Sequence, residues 1–413
     1  MYNFIFSRIF FKKVFFVFFV VIFYRFGSHI TSPFIDTSLI ELQNENALNL
    51  LNKLSGGSIS RLSIFSLGII PYITAVIIVH MMSLFLPFYK NIKKEGGHGQ
   101  LKLNKHIIYL TLLFSIFQAT TLIKFFATNA FLLNNSFIDL FMVGFSMVVG
   151  TMILVYIGNL STKHGIGNGL TLLIFSNIVV ILSEVLKEFY VKAETGEIGG
   201  LFVLLAILFF FALIFLISTV ENSYRNLKVI NSSDYNKRIS YPFKVNLSGI
   251  MPIIMTYIIF SFMSYVSPYF GFLENFLNLY FQRGSLIFNI LLGLLTFAFG
   301  YVYVFAIHSP RKLSEQFKNN NIIIPGIRPG EQTEKIIKNI IVHISFIGIL
   351  YLIIISIFVD YFSISYSIGP SLTGTSFLIM VLFSIEWKNE LKLYIRDNQY
   401  KNINKKLKEI TNE

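Results

Sequence analysis

Residues 67–73 read LGIIPYI and residues 248–254 read SGIMPII. Each puts a Gly-x-x-Pro among branched apolar side chains, inside a run close to the ~20 residues a helix needs to cross hydrocarbon. Proline removes a backbone donor and glycine loosens a helix, so both runs are expected to kink or break, at Gly68–Pro71 and at Gly249–Pro252. These four residues are the candidate hinges. Glycine and proline are common in membrane helices, so either motif alone says little. The same motif at corresponding places in two halves of a chain is the mark an inverted repeat leaves.

Counting the apolar runs decides whether the places correspond. Ten are long enough, at 14–33, 62–87, 106–126, 137–157, 168–186, 201–220, 247–267, 286–307, 339–359 and 372–387. The two motifs fall on the second and the seventh, each the second of five. Because five is odd, the second half enters the membrane from the opposite side. The expected architecture is an all-α polytopic membrane protein with ten transmembrane helices in two inverted five-helix halves. The N-terminal half takes residues 1–186, the C-terminal half 187–387, and 388–413 form a cytoplasmic tail. Arg8, Lys12 and Lys13 ahead of the first run resemble the start of a signal peptide. The run continues through Tyr24, Arg25 and Gly27 with no small-residue cleavage pattern, so a retained helix is expected.

Composition agrees. Of 413 residues 54% are hydrophobic and only 13% charged, against about 25% charged in a soluble domain. The mean hydropathy of +0.67 exceeds what one water-soluble core could hide. The absence of cysteine excludes disulfides, thiolate metal sites, Fe–S clusters and cysteine nucleophiles. The net charge of +13 finds its first explanation in topology. With a cytoplasmic N-terminus, 27 of the 34 Lys and Arg fall in cytoplasmic segments, which places both termini inside.

Two kinds of segment need more than topology. The second run is preceded by Ser55-Gly56-Gly57-Ser58 and carries Ser60, Arg61, Ser63 and Ser66 in its first turns. That half is too polar for lipid and fits a segment folded into a protein-lined cavity, able to cap a channel from the outer side. The long basic loops, 221–246 and 308–338, form the other kind. The latter contains IIPGIRPGEQT at 323–333, where two Pro-Gly pairs frame Arg328, with Gly330 closing the tip. Such a guanidinium suits an RNA backbone or an acidic protein groove, and anionic lipid contact is the plainer account. Phosphate-loop, zinc-hydrolase and nucleophile-elbow motifs are absent, the seven His are scattered, and no run carries a carboxylate near its middle. Neither an enzyme nor an ion-coupled carrier is favoured.

Eight collinear stretches carry a resemblance: YRFGSHI (24–30), GGSISRLSIFSLGIIPYITAVII (56–78), KKEGGHGQLKL (93–103), GTMILVYIGN (150–159), KHGIGNGLTLLIFSNIV (163–179), YPFKVNLSGIMPII (241–254), IIIPGIRPGEQT (322–333) and GTSFLIMV (374–381). The chain resembles the SecY family, pore subunits of the bacterial protein-conducting channel. The resemblance implies two inverted halves around a central hourglass pore, with a lateral gate to lipid between the second and third and the seventh and eighth spans. Residues 57–67 would form the plug, including Gly57, Ser60, Arg61 and Ser63. Ile69, Ile73, Leu170, Ile174, Ile254 and Ile379 would form the constriction ring. A ring of branched apolar side chains can dewet a narrow neck and flex around a passing chain. Ile379 would face the pore and Phe383 the lipid.

Arg225, Lys228, Arg328 and Gly330 would meet the ribosome, ribosomal RNA included, or the motor ATPase SecA. Implied partners are also SecE, SecG, signal sequences, nascent chains and membrane lipids. The implied activity is passage of unfolded chains across, and helix release into, the cytoplasmic (inner) membrane, with no cofactor and no catalysis. The chain departs from the family's pattern in a shortened loop between the sixth and seventh spans, in Gln100, and in TSPFID at 31–36. A secondary transporter of small solutes with inverted repeats is the alternative.

Overall fold

The computed structural model describes residues 8–33, 63–128, 136–196, 199–231, 234–266, 285–365 and 374–411. Helices come first in the chain: α1 (Arg8–Ser28), α2 (Ile70–Phe85), α3 (Pro87–Lys94), α4 (Gly97–Thr128), α5 (Phe137–His164), α6 (Gly169–Glu194) and α7 (Gly200–Glu221). A hairpin of β1 (Tyr224–Asn231) and β2 (Asp234–Lys244) follows, then α8 (Met251–Val266), α9 (Leu286–Ile307), α10 (Pro310–Asn319), β3 (Ile322–Ile323), α11 (Glu331–Ser365) and α12 (Gly374–Thr411). A helix overlaps each of the ten expected spans, and α3 and α10 are short additions. By length and composition alone, six of the described helices can cross a membrane, or seven if α2 and α3 count as one span bent by 99°. Pro87 explains that bend, because it opens α3 immediately after the extended Leu86.

The chain divides into two compact units, residues 1–187 with 380–413, and residues 188–379. In the first unit a core of Val20, Tyr24, Phe65, Ile69, Leu154, Leu170 and Leu173 joins α1, the turn before α2, α5 and α6. In the second, Val229 and Phe243 of the hairpin pack with Val304, Phe317, Ile324, Ile337, Ile341 and Ile344. That cluster gives the basic segments a hydrophobic core of their own. Side-chain hydroxyls inside the helices return to the carbonyl a turn back, as Thr111 does to Ile107 at 2.7 Å and Thr151 to Met147 at 3.1 Å. This satisfies polar groups that hydrocarbon would strand.

Four sequence expectations change in detail. The loop at 221–246 is largely a hairpin, because YRNLKVIN and the strand opposite alternate well enough to pair from Tyr224↔Lys244 to Ile230↔Arg238. The loop at 308–338 contains a helix and a two-residue strand that pairs with β1, giving the order β2-β1-β3. The tail is helical to Thr411. The Gly-x-x-Pro motifs do not kink helices in mid-course; they start them. Gly68 and Gly249 take left-handed φ of +56° and +57°, and Pro71 and Pro252 are each the second residue of α2 and α8. In a first turn proline has no intrahelical bond to lose, so the break costs little.

Candidate functional site

In the first unit the approach to α2 is clamped on several sides. Ser63 forms an antiparallel bridge with Thr31, and the Ile64 amide donates to the Ile30 carbonyl at 3.0 Å. Phe65 stacks on Tyr24, centroids 6.0 Å apart at 13°, and fills the space left by Gly27, where a Cβ would overlap its ring. Tyr24, buried itself, donates its hydroxyl to Asn177 Oδ1 of α6 at 2.6 Å, and Arg25 donates to the Ser176 carbonyl. Ser63 and Ser66 are fully buried, their hydroxyls without a hydrogen-bond partner among the described residues. Of the expected plug residues, Gly57, Ser60 and Arg61 lie outside the described residues, and Ser63 anchors the end of that segment.

The helix that follows brings part of the expected ring together. Ile69 and Ile73 sit one turn apart, the Ile69 carbonyl accepting from the Ile73 amide at 3.1 Å. Leu170 and Ile174 sit one turn apart on α6. All four belong to the core built on Tyr24 and Phe65, with Ile69 and Leu170 buried and Ile73 and Ile174 half-buried. Ile254 on α8 and Ile379 on α12 belong to the second unit, each half-buried. Phe383 does not face lipid. It is buried, stacked on Phe175 with centroids 4.5 Å apart, in a cluster with Val17 and Leu172. Apolar character alone could not separate a lipid-facing phenylalanine from one packed between helices.

The second unit holds the basic candidates on its small sheet and on the tip that follows β3. Arg225 and Lys228 are exposed, and their odd separation along β1 places them on opposite faces of the strand. Arg328 is exposed on a tip tied at several points. The Ile327 amide closes a turn onto the Ile324 carbonyl at 3.1 Å, Thr333 Oγ1 donates to the Arg328 carbonyl at 3.0 Å, and Ser314 Oγ donates to the Gly330 carbonyl at 3.0 Å. Gly326 and Gly330 take φ of +77° and +117°, conformations only glycine adopts without strain.

Sequence reasoning passed over three polar links inside the second unit. Asn246 Nδ2 donates to Glu221 Oε1 at 2.7 Å and to the Gly249 carbonyl at 3.3 Å, while its Oδ1 accepts from Ser248 Oγ at 2.9 Å. The amide thus ties the end of α7 to the turn that starts α8. Farther along α8, the Tyr257 hydroxyl donates to the buried Asp360 of α11 at 3.0 Å, and Thr256 meets Thr296 of α9 at 3.1 Å. The only hint in the sequence was polar Asn246 and Ser248 beside an apolar run. His80 and His343, two of the scattered histidines that fall within expected spans, are exposed on their helices.

The family model described as SecY matches residues 63–387. The protein translocase subunit SecY of Escherichia coli K12 is 31% identical over 96% of this chain and 94% of its own. That of Buchnera aphidicola subsp. Schizaphis graminum is 30% identical over 94% and 92%. Among solved structures, a protein-conducting channel superposes with a TM-score of 0.65 at 15% identity, covering 93% of this chain and 92% of that one. Sec61 in a canine ribosome–channel complex from the endoplasmic reticulum gives 0.62 at 14% identity, with 93% and 92% covered.

Proposed function

The chain belongs to the SecY family, and from that premise we propose that it conducts unfolded polypeptides across the cytoplasmic membrane and releases apolar helices sideways into lipid, as the central subunit of a Sec translocase. It is a multi-pass membrane protein of the protein-transport machinery. The distribution of Lys and Arg supports cytoplasmic termini. Its role is that of a channel, with the driving force supplied by SecA and ATP, by an elongating ribosome, or by the proton-motive force. SecE and SecG are the small membrane subunits expected beside it. The ribosome-bound complexes among its structural neighbours support the ribosome as a partner.

One observation carries the reading beyond the family match. A turn with buried serines, clamped by Tyr24 and Gly27, delivers Ile69 and Ile73 against Leu170 and Ile174. Branched apolar side chains at the start of a broken helix suit a neck that excludes ions yet binds no passing chain. On this reading Ile254 and Ile379 complete the ring, residues 57–67 plug it, and Arg225, Lys228, Arg328 and Gly330 serve cytoplasmic docking. No observation favours a small-solute carrier. The test is reconstitution: the purified complex in proteoliposomes, given SecA, ATP and an unfolded preprotein, is expected to protect the preprotein from added protease. Absence of protection, with the complex intact, would overturn the reading.

A further inference from the structure

Gly150 and Gly348 sit deep inside long helices, α5 and α11, where glycine weakens the helix and calls for a reason. The reason is the same in each unit. In the first, the turn before α2 lays the Ile64 carbonyl on Gly150, so close that a Cβ there would overlap the oxygen. In the second, the turn before α8 lays the Val245 carbonyl on Gly348, where a Cβ would stand 2.8 Å from the oxygen and 3.1 Å from Asn246 Cα. Each seated carbonyl belongs to the residue four positions before a left-handed glycine, Gly68 or Gly249. Each seat lies on the fourth long helix of its expected five. Other glycines deep inside helices do not share the feature: Gly27, Gly144, Gly293 and Gly300 meet only side-chain atoms, and Gly158 meets the Leu170 side chain first, whereas Gly99, Gly169 and Gly374, which also meet backbone, lie at or near the starts of their helices.

We propose that Gly150 and Gly348 are positioning residues, a matched pair of backbone seats that hold the starts of α2 and α8 in the sealed state and are vacated when the channel opens. The proposal rests on the polypeptide-conducting reading above. A left-handed glycine acts as a swivel, and a swivel fixes a helix direction only if the chain on its other side is itself held. The seated carbonyl supplies that fixed point. In the first unit it is reinforced by the Ile64–Ile30 backbone bond, in the second by Asn246 and by the Val245 amide on the Ser223 carbonyl at 3.1 Å. The helix starts so aimed carry the N-cap residue Ile69, Ile73 and Ile254. A methyl group on either seat meets backbone, which has no rotamer to yield, so the turn itself must lift.

The test uses the full complex with its partner subunits, carrying Gly150→Ala, Gly348→Ala or both, with Gly293→Ala as control because its Cβ would make an ordinary 3.6 Å contact with Ile353. Idle ion conductance and export of a client with a defective signal sequence are each expected to rise about tenfold in the seat variants and to stay at wild type in the control. Folded seat variants that keep both the wild-type seal and the wild-type stringency would overturn the proposal. If the variants do not accumulate, hydrogen exchange on the wild type decides. The amides of Gly68 and Val245, bonded in the structure to Phe65 and Ser223, are expected to exchange about tenfold faster with a client trapped in transit. Unchanged exchange would overturn the proposal equally. A wild-type complex that translocates no polypeptide would sink the underlying reading, whereas an active one indifferent to its glycine seats would sink this inference alone.

Discussion

Arg328 projects from a tip whose backbone is tied to α10 through Ser314 and to α11 through Thr333. A backbone held so firmly need not be ordered on docking, and the guanidinium offers paired donors to phosphate or carboxylate. Arg328→Glu is therefore expected to cut SecA-driven translocation by about tenfold or more, with expression and membrane insertion unchanged. A wild-type rate with SecA, together with unchanged ribosome affinity, would remove Arg328 from docking. Ile379 poses the complementary case, an apolar residue proposed for the neck. Ile379→Asn places an amide where water can bond to it, which weakens dewetting. A shift of ~1.4 kcal/mol toward the open state raises the open fraction about tenfold, so idle ion leak and export of weak-signal clients are expected to rise together. Phe215, exposed on α7, is the comparison, and Phe215→Asn is expected to impair insertion or stability instead. Leak from Phe215→Asn with none from Ile379→Asn would place the ring on the wrong face. Residue roles of this kind are proposed from family motifs alone. Ile69 and an isoleucine in lipid have the same composition signal, and Phe383 shows how that signal misleads.

The helix starts illustrate how far pattern reading reaches at the level of elements. Gly-x-x-Pro announced a break in α2 and α8, but whether a helix bends or begins there depends on what holds the preceding chain, and the partners that hold it can lie far away in sequence, as Glu221 does 25 residues from Asn246. Asn246 is such a holder, serving Glu221, Ser248 and Gly249 at once. Asn246→Leu leaves the buried Glu221 carboxylate without this donor and frees the turn. The expected cost is about 1–3 kcal/mol, seen as a lower thermal midpoint of the detergent-solubilised protein, and an unchanged midpoint would show that the link carries no stability. The hairpin was missed for a different reason. Its charges invited a topological explanation, and the alternation of Leu227 and Val229 with polar neighbours, which packs one face on Phe243 and Phe317, is short enough to be overlooked among them.

For the whole molecule, hydropathy made the ten main helices legible, because lipid demands apolar runs and leaves few alternatives. Charge placement supports one orientation, while the packing of Ile69, Ile73, Leu170 and Ile174 into one cluster needed three dimensions. The central claim is that an unfolded chain passes these side chains. Its most direct test is a photo-crosslinking amino acid placed singly at Ile69, Ile73, Leu170 and Ile174, and at exposed Phe215 and Leu205 on α7, with a preprotein arrested midway through the reconstituted complex. The account predicts crosslinks to the arrested chain from the four core positions and none from the two on α7. Crosslinks from α7 alone, or equal labelling of all six, would contradict it.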